Sequence, residues 1–215
     1  LFRLPAPREQ QVVGILGPNG MGKSTAINLL SGSTRPNLGD WRDYDKEWTE
    51  IIASFPRGEL RDYLELVSKS GVDIAVKPQY VDKLPKLWDG EVRGLLQRVD
   101  DHGRLDELAE KTSIKHILER KLSGLSGGEL QRVAICATIL KEADVYFFDE
   151  PSSYLDIHER MRVVNIIQSL VENGKRIIVI EHDLAILDVL CDLVHIVYGH
   201  CLLYTSDAAD ELLGV

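Results

Sequence analysis

The sequence predicts an α/β fold: a phosphate-loop nucleotide-binding core with a mixed sheet, a helical subdomain and an inserted helix–loop–helix. Three observations predict it. Gly17-Pro18-Asn19-Gly20-Met21-Gly22-Lys23-Ser24-Thr25 lies between an apolar run, Val12 to Leu16, and an amphipathic stretch starting at Lys23. Val145-Tyr146-Phe147-Phe148 reads as a buried strand ending in two carboxylates, Asp149 and Glu150. Between them, Leu125-Ser126-Gly127-Gly128-Glu129-Leu130-Gln131 leads into the apolar helix Val133 to Leu140, which creates a second exposed helix N-terminus.

The bulk composition bounds the rest. A chain of 215 residues, 44% hydrophobic and 27% charged, has room for one domain, or one domain with an insertion. Its net charge of −9 argues against general polyanion binding and leaves any nucleic-acid contact local. Cys136, Cys191 and Cys201 are scattered without C-x-x-C spacing. That excludes a disulfide framework, a zinc site or an iron–sulfur cluster and predicts buried free thiols. No apolar stretch approaches the ~20 residues that span a bilayer, and no charged-then-apolar signal opens the chain, so a cytoplasmic location is expected. The chain starts at Leu1-Phe2-Arg3-Leu4-Pro5 without a methionine and reads as the continuation of something upstream.

Taken in order, Val12 to Leu16 is the first strand and Lys23 to Ser31 the first helix, with Gly32 its stop. In the pattern G-x-x-x-x-G-K-S, glycines let successive backbone N–H groups turn inward on the β- and γ-phosphates, and the helix N-terminus adds partial positive charge. Asn19, Gly20, Gly22, Lys23, Ser24 and Thr25 are therefore the expected nucleotide-binding residues, with Lys23 reaching the β/γ-phosphates and Ser24 ligating Mg²⁺. Trp48 to Phe55 and Glu59 to Val67, separated by Pro56-Arg57-Gly58, form the inserted helix–loop–helix within residues 47–70. Arg57 and Arg61 give its turn a small basic tip suited to phosphate contacts. Val72 to Val76 reads as a strand delivering Gln79, a candidate for contact with Mg²⁺ and the attacking water. From Trp88 to Arg120 the pattern is helical and charged, as expected for a subdomain over residues 83–142.

Ser126, Gly127 and Gly128 offer a second anion site, and one phosphate cannot occupy both. The economical resolution is that they cap the γ-phosphate held by another, similar domain. Asp149 is expected to share Mg²⁺ with Ser24, and Glu150 to act as general base. Pro151 to Asp156 reads as a tight loop facing a partner domain, followed by a helix (Met161 to Val171) and the strand Arg176 to Ile180. His182, at that strand's exit, is placed to sense the γ-phosphate and position the water.

In this order, the phosphate loop, Gln79, L-S-G-G-E, Val145 to Glu150, Ser153 to Asp156 and His182 resemble an ABC-type P-loop NTPase domain across residues 1–200. K-P-Q-Y-V-D, L-S-G-G-E-L-Q-R-V-A-I, F-F-D-E-P-S-S-Y-L-D and E-H-D-L-A resemble more closely the first nucleotide-binding domain of the ABCE family, the ribosome-recycling ATPases also called RNase L inhibitor. The resemblance implies Mg-ATP hydrolysis coupled to ribosomal subunit splitting and translation initiation. As partners it implies the small ribosomal subunit, release-factor-type proteins and a second ATPase domain, with no membrane. It also implies iron–sulfur clusters in an N-terminal domain outside these residues. In ABC-class domains an aromatic ring near the position of Phe2 stacks on adenine, which makes Phe2 a candidate nucleotide contact; an apolar staple is the alternative.

Two departures stand out. Phe55-Pro56-Arg57-Gly58-Glu59-Leu60 displaces by one position the arginine of the family's usual F-R-G-x-E-L. Residues 201–215 resemble a translated sequencing-library adapter and are expected to contribute nothing to folding. Two rival functions are an importer-type ABC ATPase, which has no use for the 47–70 hairpin, and a non-hydrolysing ATP-gated ribosome-binding module, in which Glu150 and His182 are dispensable.

Overall fold

The computed structural model describes residues 4–35 and 46–198; Phe2 and the tail 201–215 lie outside the described residues. Five strands, β1 (Val12–Leu16), β2 (Ile74–Lys77), β3 (Val145–Asp149), β4 (Arg176–Ile180) and β5 (Leu193–Ile196), form one sheet in the order β2-β3-β4-β1-β5. Every pairing is parallel, so among the described residues the sheet is not the mixed one expected. The reason lies in the connections. Each passes through at least one helix, which returns the chain to the same edge before the next strand begins. The apolar runs of β3 and β4 are buried on both faces, as a parallel sheet requires.

Strand alternation divides the core in two. Val12, Tyr146, Phe148, Ile177 and Val179 face the larger cluster, which holds α5 (Val92–Gln97), α6 (Leu105–Lys111), α7 (Gly127–Leu140) and α8 (Ile157–Glu172). Val13, Ile15, Val145, Phe147, Ile178 and Ile180 face the other, with α1 (Lys23–Leu30), α2 (Trp48–Ser54) and α3 (Glu59–Ser68). The two inserted helices therefore help to fill a core layer. Ile51, Ile52, Phe55, Tyr63 and Leu64 are buried, and the Tyr63 hydroxyl donates to the Leu30 carbonyl at 2.8 Å, tying α3 to the end of α1.

The charged stretch after β2 breaks into short pieces, including α4 (Leu84–Leu87), α5 and α6, because Gly90, Asp100 and Gly103 interrupt the helical period. Asp100 accepts from the Arg104 and Leu105 backbone at 2.9 Å each, which starts α6. Sequence periodicity did not supply α9 (Leu184–Leu190) or β5; both lie where short apolar runs leave helix and strand indistinguishable. Asp183 caps α9 through the Ala185 and Ile186 amides. No helix among the described residues is long and apolar enough to cross a membrane.

Candidate functional site

The C-terminal ends of β1, β2 and β3 converge on a cavity of about 380 Å³ lined by Asn19, Gly20, Gly22, Lys23, Ser24, Thr25, Gln79, Tyr80, Asp149 and Glu150. Parallel α/β sheets bind ligands at this edge, because the strands deliver side chains there and the following helices present their N-termini. A larger cavity of about 520 Å³, between residues 6–11 and α3, contains none of these groups and has no part in the site.

Each wall has a local cause. Gly22 caps α1 with φ of 83°, a left-handed conformation that costs a side chain strain and glycine none. It turns the chain so that Lys23 enters the helix with its ammonium folded back on the loop, donating to the carbonyls of Gly17 at 2.6 Å and Pro18 at 2.9 Å. Burial lowers the Lys23 pKa, and the Glu150 and Asp149 carboxylates oppose that shift. From the same helix, the Ser24 hydroxyl donates to Asp149 Oδ2 at 3.2 Å. Burial raises the Asp149 pKa, and the Ser24 hydrogen bond pulls it back.

Glu150 follows β3 directly and has φ of 50°. Its Oε1 accepts from Gln79 Nε2 at 2.7 Å and sits 3.2 Å from His182 Nε2, while Oε2 accepts from the Ser153 hydroxyl at 3.1 Å. Three different loops thus hold one carboxylate. Behind it, Glu181 accepts from the Ser152 amide at 2.8 Å and from the His182 amide at 3.2 Å, fixing the loops after β3 and β4 to each other.

The structure therefore brings together Asn19, Gly20, Gly22, Lys23, Ser24, Thr25, Gln79, Asp149, Glu150 and His182. It does not bring Ser126, Gly127 or Gly128 to the cavity. Ser126 caps α7 in a reciprocal box with Glu129, and Arg120 braces that glutamate at 2.9 Å. Gly128 packs so tightly that a Cβ there would lie 2.9 Å from the Tyr154 carbonyl, which fixes the start of α7 against the loop after β3. Asp156, expected only to face a partner, is the N-cap of α8, accepting from the Glu159 amide at 2.9 Å. Sequence reasoning gave no role in this cavity to Tyr80, Lys77, Gln131 or Ser153, the last being read only as part of a loop that faces a partner domain. Tyr80 had only its place beside Gln79 as a signal; Lys77 had a stronger one, a charge on the same inward strand face as Ala75.

The hydroxyl of Ser24, the carboxylate of Asp149 and the amide oxygen of Gln79 are hard oxygen donors. Among the described residues no cluster of three or more His, Cys, Asp or Glu side chains could hold a metal by itself. One carboxylate and one hydroxyl fit Mg²⁺, which is bound through few protein ligands plus substrate phosphates, and they do not fit a metal that needs a full protein cage.

A glycine-rich loop opening a helix at the C-terminal edge of a parallel sheet, with Asp-Glu, Gln and His on neighbouring strand exits, defines an ABC-type P-loop nucleotide-binding domain. The chain belongs to the ABC transporter family, whose model matches residues 7–153. Within that family its likeness is to the ABCE branch. It is 49% identical over 199 residues to an uncharacterized ABC transporter ATP-binding protein of Methanocaldococcus jannaschii, covering 93% of this chain and 32% of that one. It is 44% identical over 202 residues to translation initiation factor rli1 of Schizosaccharomyces pombe, covering 93% and 34%. A solved complex of an archaeal ribosomal stalk protein with an archaeal ribosome recycling factor, aABCE1, matches with a TM-score of 0.86 at 47% identity, covering 92% of this chain and 38% of that one. The chain spans about a third of the length of the curated relatives it matches.

Proposed function

We propose that this chain binds Mg-ATP in the cavity and hydrolyses it, as one of two ATPase domains whose cycle splits ribosomal subunits in the cytoplasm. The observation that carries the hydrolytic reading is that Lys23, Ser24, Gln79, Asp149 and Glu150 line one cavity, with Gln79 and His182 both on the Glu150 carboxylate. The relatives' names, a translation initiation factor and a ribosome recycling factor, support the ribosomal reading.

On this reading residues 1–200 are one nucleotide-binding domain, with the helix–loop–helix at 47–70 and a helical subdomain at 83–142. The nucleotide's polyphosphate displaces the Gly17 and Pro18 carbonyls from Lys23, exchanging two neutral acceptors for a charged one. Ser24 and Asp149, with Gln79, would hold Mg²⁺, which when bound neutralises charge on the β- and γ-oxygens. Glu150 takes the proton of the attacking water, while Gln79, Ser153 and His182 keep its carboxylate aimed. Ser126, Gly127 and Gly128 serve the nucleotide of a facing domain.

Partner contact is assigned to the α2–α3 turn. Arg57 is exposed there, whereas Arg61 pairs with Glu65 at 3.4 Å, so the basic tip is weaker than its sequence suggests. The test has two arms. Titration with Mg-ATP, with and without chelator, should show metal-dependent binding and slow phosphate release. Charge reversal of Arg57 and Arg61 in a full-length relative carrying this domain should reduce cosedimentation with small ribosomal subunits while sparing ATP binding. Unchanged cosedimentation would remove the hairpin from the contact, and metal-independent binding would remove the site assignment.

A further inference from the structure

Two fully buried polar side chains behind the site have no part in the scheme above. Lys77, the last residue of β2, donates through Nζ to the Asp149 carbonyl at 2.8 Å and the Glu150 carbonyl at 3.3 Å. Gln131, one turn into α7, donates through Nε2 to the same Glu150 carbonyl at 2.7 Å. Both residues are 0% exposed. A buried ammonium is expensive, and burial lowers the Lys77 pKa to about 8 against the pull of Asp149, Glu181 and Glu150. Neither residue contacts the cavity.

Their shared target explains the arrangement. The peptide after Glu150 leads into Pro151, which has no N–H, so that peptide plane can be anchored only through its carbonyl. Glu150 also has φ of 50°, sparsely populated for a residue with a side chain, and such a conformation persists only when its surroundings over-determine it. Two donors arriving from different elements, one from a strand and one from a helix, supply that constraint. They fix the peptide plane, and with it the direction in which the Glu150 carboxylate leaves the backbone.

We propose that Lys77 and Gln131 are positioning residues for Glu150, clamping its carbonyl so that its carboxylate stays aimed between Gln79 and His182. The proposal rests on the assignment of Glu150 as general base. It also makes α7 a mechanical neighbour of the base, since the helix that begins at Gly127 is bonded to Glu150 within its first turns.

Gln131→Met tests it with little risk to the fold. Gln131 Oε1 is buried without a hydrogen-bond partner, so a methionine of similar length removes one donor and one orphaned acceptor together, and the Glu150 carbonyl keeps Lys77. In the 215-residue chain, with protein in excess over labelled ATP, Gln131→Met should keep Mg-ATP affinity within about twofold and slow single-turnover hydrolysis on the order of tenfold. Lys77→Met should behave alike, with Lys77→Arg recovering part of the rate; if Lys77→Met melts early, Gln131→Met decides alone. In a Glu150→Gln background, Gln131→Met should slow nothing further, because the group it aims is gone. A folded Gln131→Met at the parental rate overturns the clamp, and so does equal slowing in the Glu150→Gln background. Parental hydrolysis by Glu150→Gln itself would instead overturn the general-base assignment, a failure recognisable because it needs no change at Gln131.

Discussion

At the scale of single residues, the proposed reading separates binding from chemistry. Lys23, the first residue of α1, folds its ammonium back onto the Gly17 and Pro18 carbonyls, and on that reading it meets phosphate. Lys23→Ala should weaken Mg-ATP binding on the order of tenfold or more, as expected for loss of a charge-assisted contact, read by nucleotide titration. Glu150 is held by three side chains at the strand exits, and Glu150→Gln keeps volume and most hydrogen bonding. Binding should survive, while hydrolysis falls by roughly 10² to 10⁴. If turnover were unchanged, the base would lie elsewhere, with His182 the next group in reach. The thiols give a separate check. Burial pushes the Cys136 and Cys191 thiols up to about 12, leaving both almost wholly protonated at pH 8. With Cys201 replaced by serine, alkylation at that pH should be slow in the native protein and fast in denaturant; rapid native labelling would contradict the burial of Cys136 in α7 or the close approach of Cys191 Sγ to Gly14.

At the scale of elements, the inserted helices behave as core and not as an appendage. Phe55 is 2% exposed and belongs to the same cluster as Val13, Ile15 and Ile180, so the end of α2 is wedged under the sheet. Phe55→Ala should lower unfolding free energy by about 3–5 kcal/mol, measured by urea denaturation, if the site collapses no better than other aromatic cores. A cost within a few tenths of a kcal/mol would mean that the hairpin is detachable. The start of α7 is an independent case. Ser126 accepts from the Glu129 amide at 3.3 Å, and its own backbone amide donates to Glu129 at 2.7 Å. Ser126→Ala should therefore cost about 0.5–2 kcal/mol of stability on top of any loss at a facing nucleotide.

At the scale of the whole molecule, the phosphate loop lines the cavity and the Ser126 N-terminus does not. On the proposed reading, one copy then offers two halves of two different sites. The side chains of Tyr154 in the loop after β3, of Ile157 at the start of α8 and of Leu184 at the start of α9 are exposed. Phosphoryl transfer relies on preorganised donors around the γ-phosphate, and a single copy lacks those that Ser126 and its glycines would give from across an interface. This chain alone should bind Mg-ATP as a monomer and turn it over slowly, with a marked gain when a second ATPase domain is supplied. Steady-state rates over a wide dilution series check this: full specific activity at the lowest concentrations, with monomer by sedimentation, would refute the composite site.

By itself the sequence determined the parts whose chemistry is local. The phosphate loop is legible because its backbone turn, lysine and serine are contiguous, and β3 with Asp149 and Glu150 because four bulky residues precede two carboxylates. The strands β1 and β4 were bounded correctly from their apolar runs. Tertiary structure decided what depends on residues far apart in the chain. The all-parallel pairing follows from crossovers that period alone does not orient, and the meeting of Gln79, Ser153 and His182 on one carboxylate joins three separate strand exits. The clamp of Lys77 and Gln131 on the Glu150 carbonyl was invisible for the same reason, since a hydrogen bond to a backbone atom leaves no mark on the identity of the residue that accepts it.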